Sequence, residues 1–141
     1  MNINSTADSQ TGAGTITLNG VGGSSTQIGI TGAVNIGNTN TASVTLADGG
    51  TYYNLDGDAV ITTTDAADKV VIGDALTIKN AGHKVEFLGG DILLGNDHNL
   101  TITAGAGNVT LTEIGGTSSE VVDIEGATVT ATVIGNADEI K

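Results

Sequence analysis

A short word of alternating apolar and β-branched residues returns along the whole chain. It reads Thr15-Ile16-Thr17-Leu18, Ser43-Val44-Thr45-Leu46, Leu76-Thr77-Ile78, Leu100-Thr101-Ile102-Thr103, Asn108-Val109-Thr110-Leu111-Thr112 and Thr128-Val129-Thr130. Alternation with a period of two places successive side chains on opposite faces of an extended strand. Gly, Asn or Asp separates most copies, as tight turns require. A strand-and-turn unit repeated this often points to a repetitive all-β architecture. It also spends most residues on shape and leaves few for chemistry.

The spacing predicts fourteen strands: 15–19, 26–31, 33–36, 43–47, 51–55, 59–63, 69–72, 75–79, 84–88, 91–94, 99–103, 108–112, 120–124 and 128–134. Residues 1–14 are polar and read as an N-terminal tail or an exchangeable strand, and 15–141 as one domain. No segment carries a helical stripe. Over 59–75 the residues Val60, Ile61, Val70, Val71 and Ile72 are β-branched, and Thr62-Thr63-Thr64 interrupts any period of 3.6.

Two architectures use many short strands. An antiparallel β-sandwich pairs them in two facing sheets. A β-solenoid, or parallel β-helix, stacks each strand on its counterpart one coil away. Three observations favour the solenoid. Nearly all of the strands are no more than five residues long. The aromatic anchors of a sandwich core are missing, since Phe87, Tyr52 and Tyr53 are the only rings of that kind in 141 residues. The turns are rich in Gly and Asn at near-regular intervals. Pro is absent, where average usage gives about seven, in keeping with a chain whose N–H groups are nearly all needed in ladders. Two or three strands per coil give roughly five to seven short coils.

The charge narrows the function. Four Lys, no Arg and sixteen acids leave a net charge of −12. Such a surface repels a nucleic-acid backbone and an anionic membrane, and it stays soluble and accepts cations. No Cys is present, so disulfides, thiolate nucleophiles and Cys-ligated zinc are excluded. The opening Met1–Thr6 is polar, so neither a secretory leader nor a membrane span is expected there. A lyase acting on acidic polysaccharide is a poor fit to so few cations, and nothing selects a carboxylate pair for glycoside hydrolysis. The chain reads as a non-enzyme.

From Gly89 to Thr132 the words Gly-Gly-Asp-Ile-Leu-Leu-Gly, Asn-Leu-Thr-Ile-Thr-Ala-Gly-Ala-Gly-Asn-Val-Thr-Leu-Thr and Gly-Ala-Thr-Val-Thr follow one another. This stretch resembles the β-strand repeats of filamentous haemagglutinin-like adhesins, large bacterial surface proteins. The clearest likeness is Asn99 to Thr112. The resemblance implies a right-handed parallel β-helix and a role as an extracellular stalk, adhesin or matrix component. It implies no catalytic residue. Those proteins run to many hundreds of residues, so the chain is expected to be a segment of something longer or to gain length by assembly. Unblunted strand edges at the ends of a solenoid recruit partners, which makes self-association, end to end or by strand addition, the expected partnership. Surface glycans are the second.

The candidate sites are few. Asn54, Asp56, Asp58 and Asp65 echo positions one, three, five and twelve of a calcium loop, although Ala59 stands where the turn glycine belongs. Calcium is therefore the one cofactor with a candidate site, against the simpler reading of a polar turn. Gly89-Gly90-Asp91 and Gly95-Asn96-Asp97 faintly suggest a calcium β-roll, but Ile92-Leu93-Leu94 breaks the repeat. His83 and His98 could share a metal if stacked in adjacent coils. In Tyr52-Tyr53 one ring must face inward and one outward, and either is a candidate contact for a sugar or a neighbouring subunit. Thr pairs such as Thr101/Thr103 and Thr110/Thr112 could order water as in ice-binding solenoids, provided that they align on one face. The leading expectation is a non-catalytic structural or adhesive rod segment. The alternatives are a filament subunit and a carbohydrate- or ice-binding module.

Overall fold

Three strands make one turn of this chain, and turns stack in parallel register. In the computed structural model the described residues are 1–3, 14–21, 29–46, 51–64, 69–95, 97–116 and 120–135. They form β1 (Asn2–Ile3), β2 (Gly14–Leu18), β3 (Ile30–Thr31), β4 (Val34–Gly37), β5 (Thr41–Leu46), β6 (Thr51–Asp56), β7 (Ala59–Thr62), β8 (Lys69–Ile72), β9 (Leu76–Asn80), β10 (Val85–Leu88), β11 (Asp91–Leu94), β12 (Leu100–Thr103), β13 (Asn108–Gly115), β14 (Val122–Glu125) and β15 (Thr128–Ile134). Among the described residues there is no helix, and every strand pairing is parallel, which rules out the antiparallel sandwich.

The first face stacks β1, β4, β7, β10 and the opening halves of β13 and β15. The second stacks β2, β5, β8, β11 and the closing halves of β13 and β15. The third stacks β3, β6, β9, β12 and β14, with Val21 bridging to Tyr53. The molecule is a β-solenoid. Its complete turns are the four that begin at β4, β7, β10 and β13, with β1–β3 below them and β15 above. With three strands in every turn the same strands make about four turns, fewer than the five to seven expected.

Parallel register places like upon like. On the second face Ile16, Val44, Val70, Ile92, Ile114 and Ile134 make one column. On the third, Tyr53, Ile78, Ile102 and Ile124 make another. Below the exposed Ile134 these columns form one aliphatic core, with Phe87 and Tyr53 as its large rings among the described residues. Burying one such aliphatic side chain contributes about 1.5–3 kcal/mol. A lone strand cannot reach that, because its inward face is covered only by neighbouring turns.

The corner between the first and second faces shows how the sequence closes a turn. Gly37 (φ +76) and Gly89 (φ +97) end β4 and β10 in the left-handed region, and a Cβ there would sit 2.1 Å from the Thr62 carbonyl oxygen and 2.2 Å from that of Thr63. Threonines lace this corner along the axis. The Thr64 hydroxyl donates to the Thr41 carbonyl (3.0 Å), the Gly90 N–H to the Thr63 hydroxyl (2.7 Å) and the Thr112 hydroxyl to the Gly90 carbonyl (2.8 Å). Thr41 and Thr63 are buried, so their polar atoms must be partnered inside the protein. In β13 the chain passes this corner with no interruption.

Two strand expectations shift. Asn2–Ile3, read as part of a polar tail or exchangeable strand, is a rung that pairs with β4 of its own chain, and the Met1 ammonium donates to the Ala33 carbonyl. The strand expected over 108–112 continues to Gly115. Residues 4–13 of the proposed tail lie outside the described residues.

Candidate functional site

The polar side chains that gather do so at the corner between the third and first faces. Asp56 ends β6, Gly57 turns the chain, and Asp58 precedes β7. One turn on, Ala81-Gly82-His83-Lys84 joins β9 to β10. Stacking brings His83 over the two aspartates. Its Nε2 lies 3.2 Å from Asp56 Oδ1 and its Nδ1 lies 4.0 Å from Asp58 Oδ1. All three side chains are substantially exposed, so solvent screens the pairing and it contributes little to stability.

Beside them Lys84 Nζ donates to Glu86 Oε2 at 2.9 Å. That hydrogen bond, with the charges of Glu86 and Asp58, holds the ammonium above the ordinary lysine range, against desolvation acting the other way. The cluster thus joins two successive turns through an imidazole and balances an acidic corner with a cation.

The predicted calcium loop is not assembled as a ligand set among the described residues. Asp56 and Asp58 turn toward His83. The Asn54 side chain and all of Asp65 lie outside the described residues. No group of three or more His, Asp or Glu side chains among the described residues is arranged to hold a metal ion. The histidine pair needs correcting, because the two rings occupy different corners. His98 sits between β11 and β12, where its Nδ1 approaches the Ile72 carbonyl oxygen at 3.3 Å. Fifteen residues is not the length of a turn here, so the two cannot stack.

Tyr53 also needs correcting as a contact residue. It is 1% exposed and its hydroxyl donates to the Leu18 carbonyl at 3.3 Å, spanning two rungs of the core. A ring so placed cannot meet a sugar. The Tyr52 side chain lies outside the described residues. The threonine pairs are distributed over different faces. Thr15 and Thr17 lie on the second, Thr101 and Thr103 on the third, and Thr110 on the first. Among the described residues register sets Thr17 on Thr45 on the second face, Thr77 on Thr101 on the third and Thr110 on Thr130 on the first, pairs scattered over three faces that make no water-ordering plane.

Two polar residues carry structure that the sequence words did not reveal. Glu120 is fully buried at the corner after β13, over Gly116. It stands two residues before Val122, as His98 stands two before Leu100, and Val122 and Leu100 are paired. Asn80 lies inside the core at the end of β9. Its Nδ2 donates to the Lys84 carbonyl at 3.1 Å, while its Oδ1 is buried without a hydrogen-bond partner among the described residues.

Comparison with family models, with curated proteins and with solved structures finds no match to this chain. The likeness to haemagglutinin-type repeats therefore rests on its strand words.

Proposed function

We propose that this chain is a non-catalytic structural and adhesive β-solenoid, a stiff segment of an extracellular or cell-surface protein. The observation that carries this reading is the continuity of the parallel ladder. The four complete turns are paired in succession on all three faces, with aliphatic columns running through them. Backbone hydrogen bonds then run along the axis and resist bending and shear together. The charged side chains that gather among the described residues contact one another, His83 reaching the aspartates of the preceding turn and Lys84 pairing with Glu86 within its own. The acidic exterior keeps such a rod dispersed, and the haemagglutinin-like strand words favour a surface location.

Single-molecule force spectroscopy on tandem copies fused end to end tests this reading. A rod segment gives discrete rupture peaks, one per copy, each releasing a domain's length of chain. Extension at baseline force, as for an unstructured linker, contradicts the reading.

A further inference from the structure

A segment of this kind adds little length. Strands stacked at roughly 4.8 Å give six rungs an axial span of only about 24 Å, so a load-bearing role needs more rungs. We propose that the C-terminal rung, β14 with β15, is a docking face for the N-terminal rung of a second copy stacked along the same axis. The proposal rests on the rod reading above and names its partner.

The face is open. Among the described residues the outer edges of β14 and β15 pair with nothing, while their inner edges pair with β12 and β13. Val109 and Ile114 are fully buried, yet Val129 and Ile134, stacked directly on them, are 42% and 50% exposed. Among the described residues neither column has a further rung above it. Neither Pro nor Lys occurs in 120–135 to blunt the edge.

Charge selects the occupant. Residues 85–135 contain seven acids and no Lys or Arg, so two C-terminal faces brought together would set acid against acid. Residues 1–47 contain a single charged side chain, Asp8. The columns also continue in kind. Ile134 would be followed by Ile16, and Ile124 by Val21, both aliphatic and inward-facing, with half-exposed Leu18 and Ile30 beside them. A head-to-tail contact of this kind does not close on itself and so propagates as a filament.

The test uses the whole chain with two edge variants, Ile134→Lys at the C-terminal face and Leu18→Lys at the N-terminal rung. Each is first shown by far-ultraviolet circular dichroism to keep the β signal. In sedimentation velocity the parent chain should grow with concentration into a ladder of oligomers. Each variant alone should shift that onset upward by about tenfold or more. An equimolar mixture should form a dimer and stop, because each variant retains one good face. A parent chain that stays monomeric overturns the proposal, as does Leu18→Lys dimerising alone, which would place two C-terminal faces together. Neither result touches the rod reading, which the force measurement decides on single copies.

Discussion

Ile114 and Ile134 occupy one column, one rung apart, in strands of nearly the same composition. The first is fully buried and the second is half exposed. The difference lies not in the residue or its strand but in what stands above it. In the middle of the solenoid every turn is covered by two neighbours, and at the last described rung by one. Stability here is a nearest-neighbour property, summed along the axis rather than gathered at a centre. Substitutions of the same chemical kind should therefore differ sharply between middle and end.

The sharpest contrast is in the core. Phe87→Ala, at the largest ring of the middle turns, should cost about 3–5 kcal/mol, whereas Val129→Ala at the last rung should cost below about 1 kcal/mol. Denaturant unfolding of both variants checks this, and equal losses would break the comparison. Next comes Gly89→Ala. Its backbone is left-handed and its added methyl meets the Thr63 carbonyl, so a loss of about 2 kcal/mol or more is expected. Thr63→Val removes the buried acceptor of the Gly90 N–H and should cost about 1–3 kcal/mol. Thr130→Val, on the exposed last rung, should stay within about 0.5 kcal/mol. Similar shifts in thermal midpoint for these two threonines would show that the lacing at the corner is not structural.

The smallest effect belongs to Lys84. Its pKa is raised in the folded chain, so its contribution is fully present below the ordinary lysine value of about 10.5 and is lost as pH rises through the higher folded value. The thermal midpoint of the parent should lie slightly above that of Glu86→Gln at pH 9, and the gap should narrow at higher pH. A gap that persists unchanged would assign the effect to something other than the ion pair.

The fold was legible because strand words, glycine turns and the poverty of rings all agree with stacked turns and little else. The repeat length was not legible, for a reason visible in the register. Ile16 to Val44 is 28 residues, Val44 to Val70 is 26, Val70 to Ile92 is 22 and Ile114 to Ile134 is 20. Turns shorten along the chain as corners lose residues, until β13 and β15 cross the first corner without a turn. A sliding period hides from any fixed-length reading. It also explains why His83 and His98, fifteen residues apart, never meet, whereas Asp56 and His83, 27 apart, do. Tyr53 and Asn80 show the remaining limit. Alternation places one of Tyr52 and Tyr53 inside without saying which. Asn80 falls on the inward side of β9 although its side chain is polar. Register with the neighbouring turn decides both, and it is not written within either strand.

Residue-resolved hydrogen exchange on dilute, monomeric chain tests most directly the claim that each turn is held by the two beside it. Amides of β7 to β12 should exchange slowest and near a common rate, with protection falling through β14 to β15. If β15 is protected as strongly as β10 in the monomer, a rung needs no neighbour above it, and the nearest-neighbour account of this solenoid is wrong.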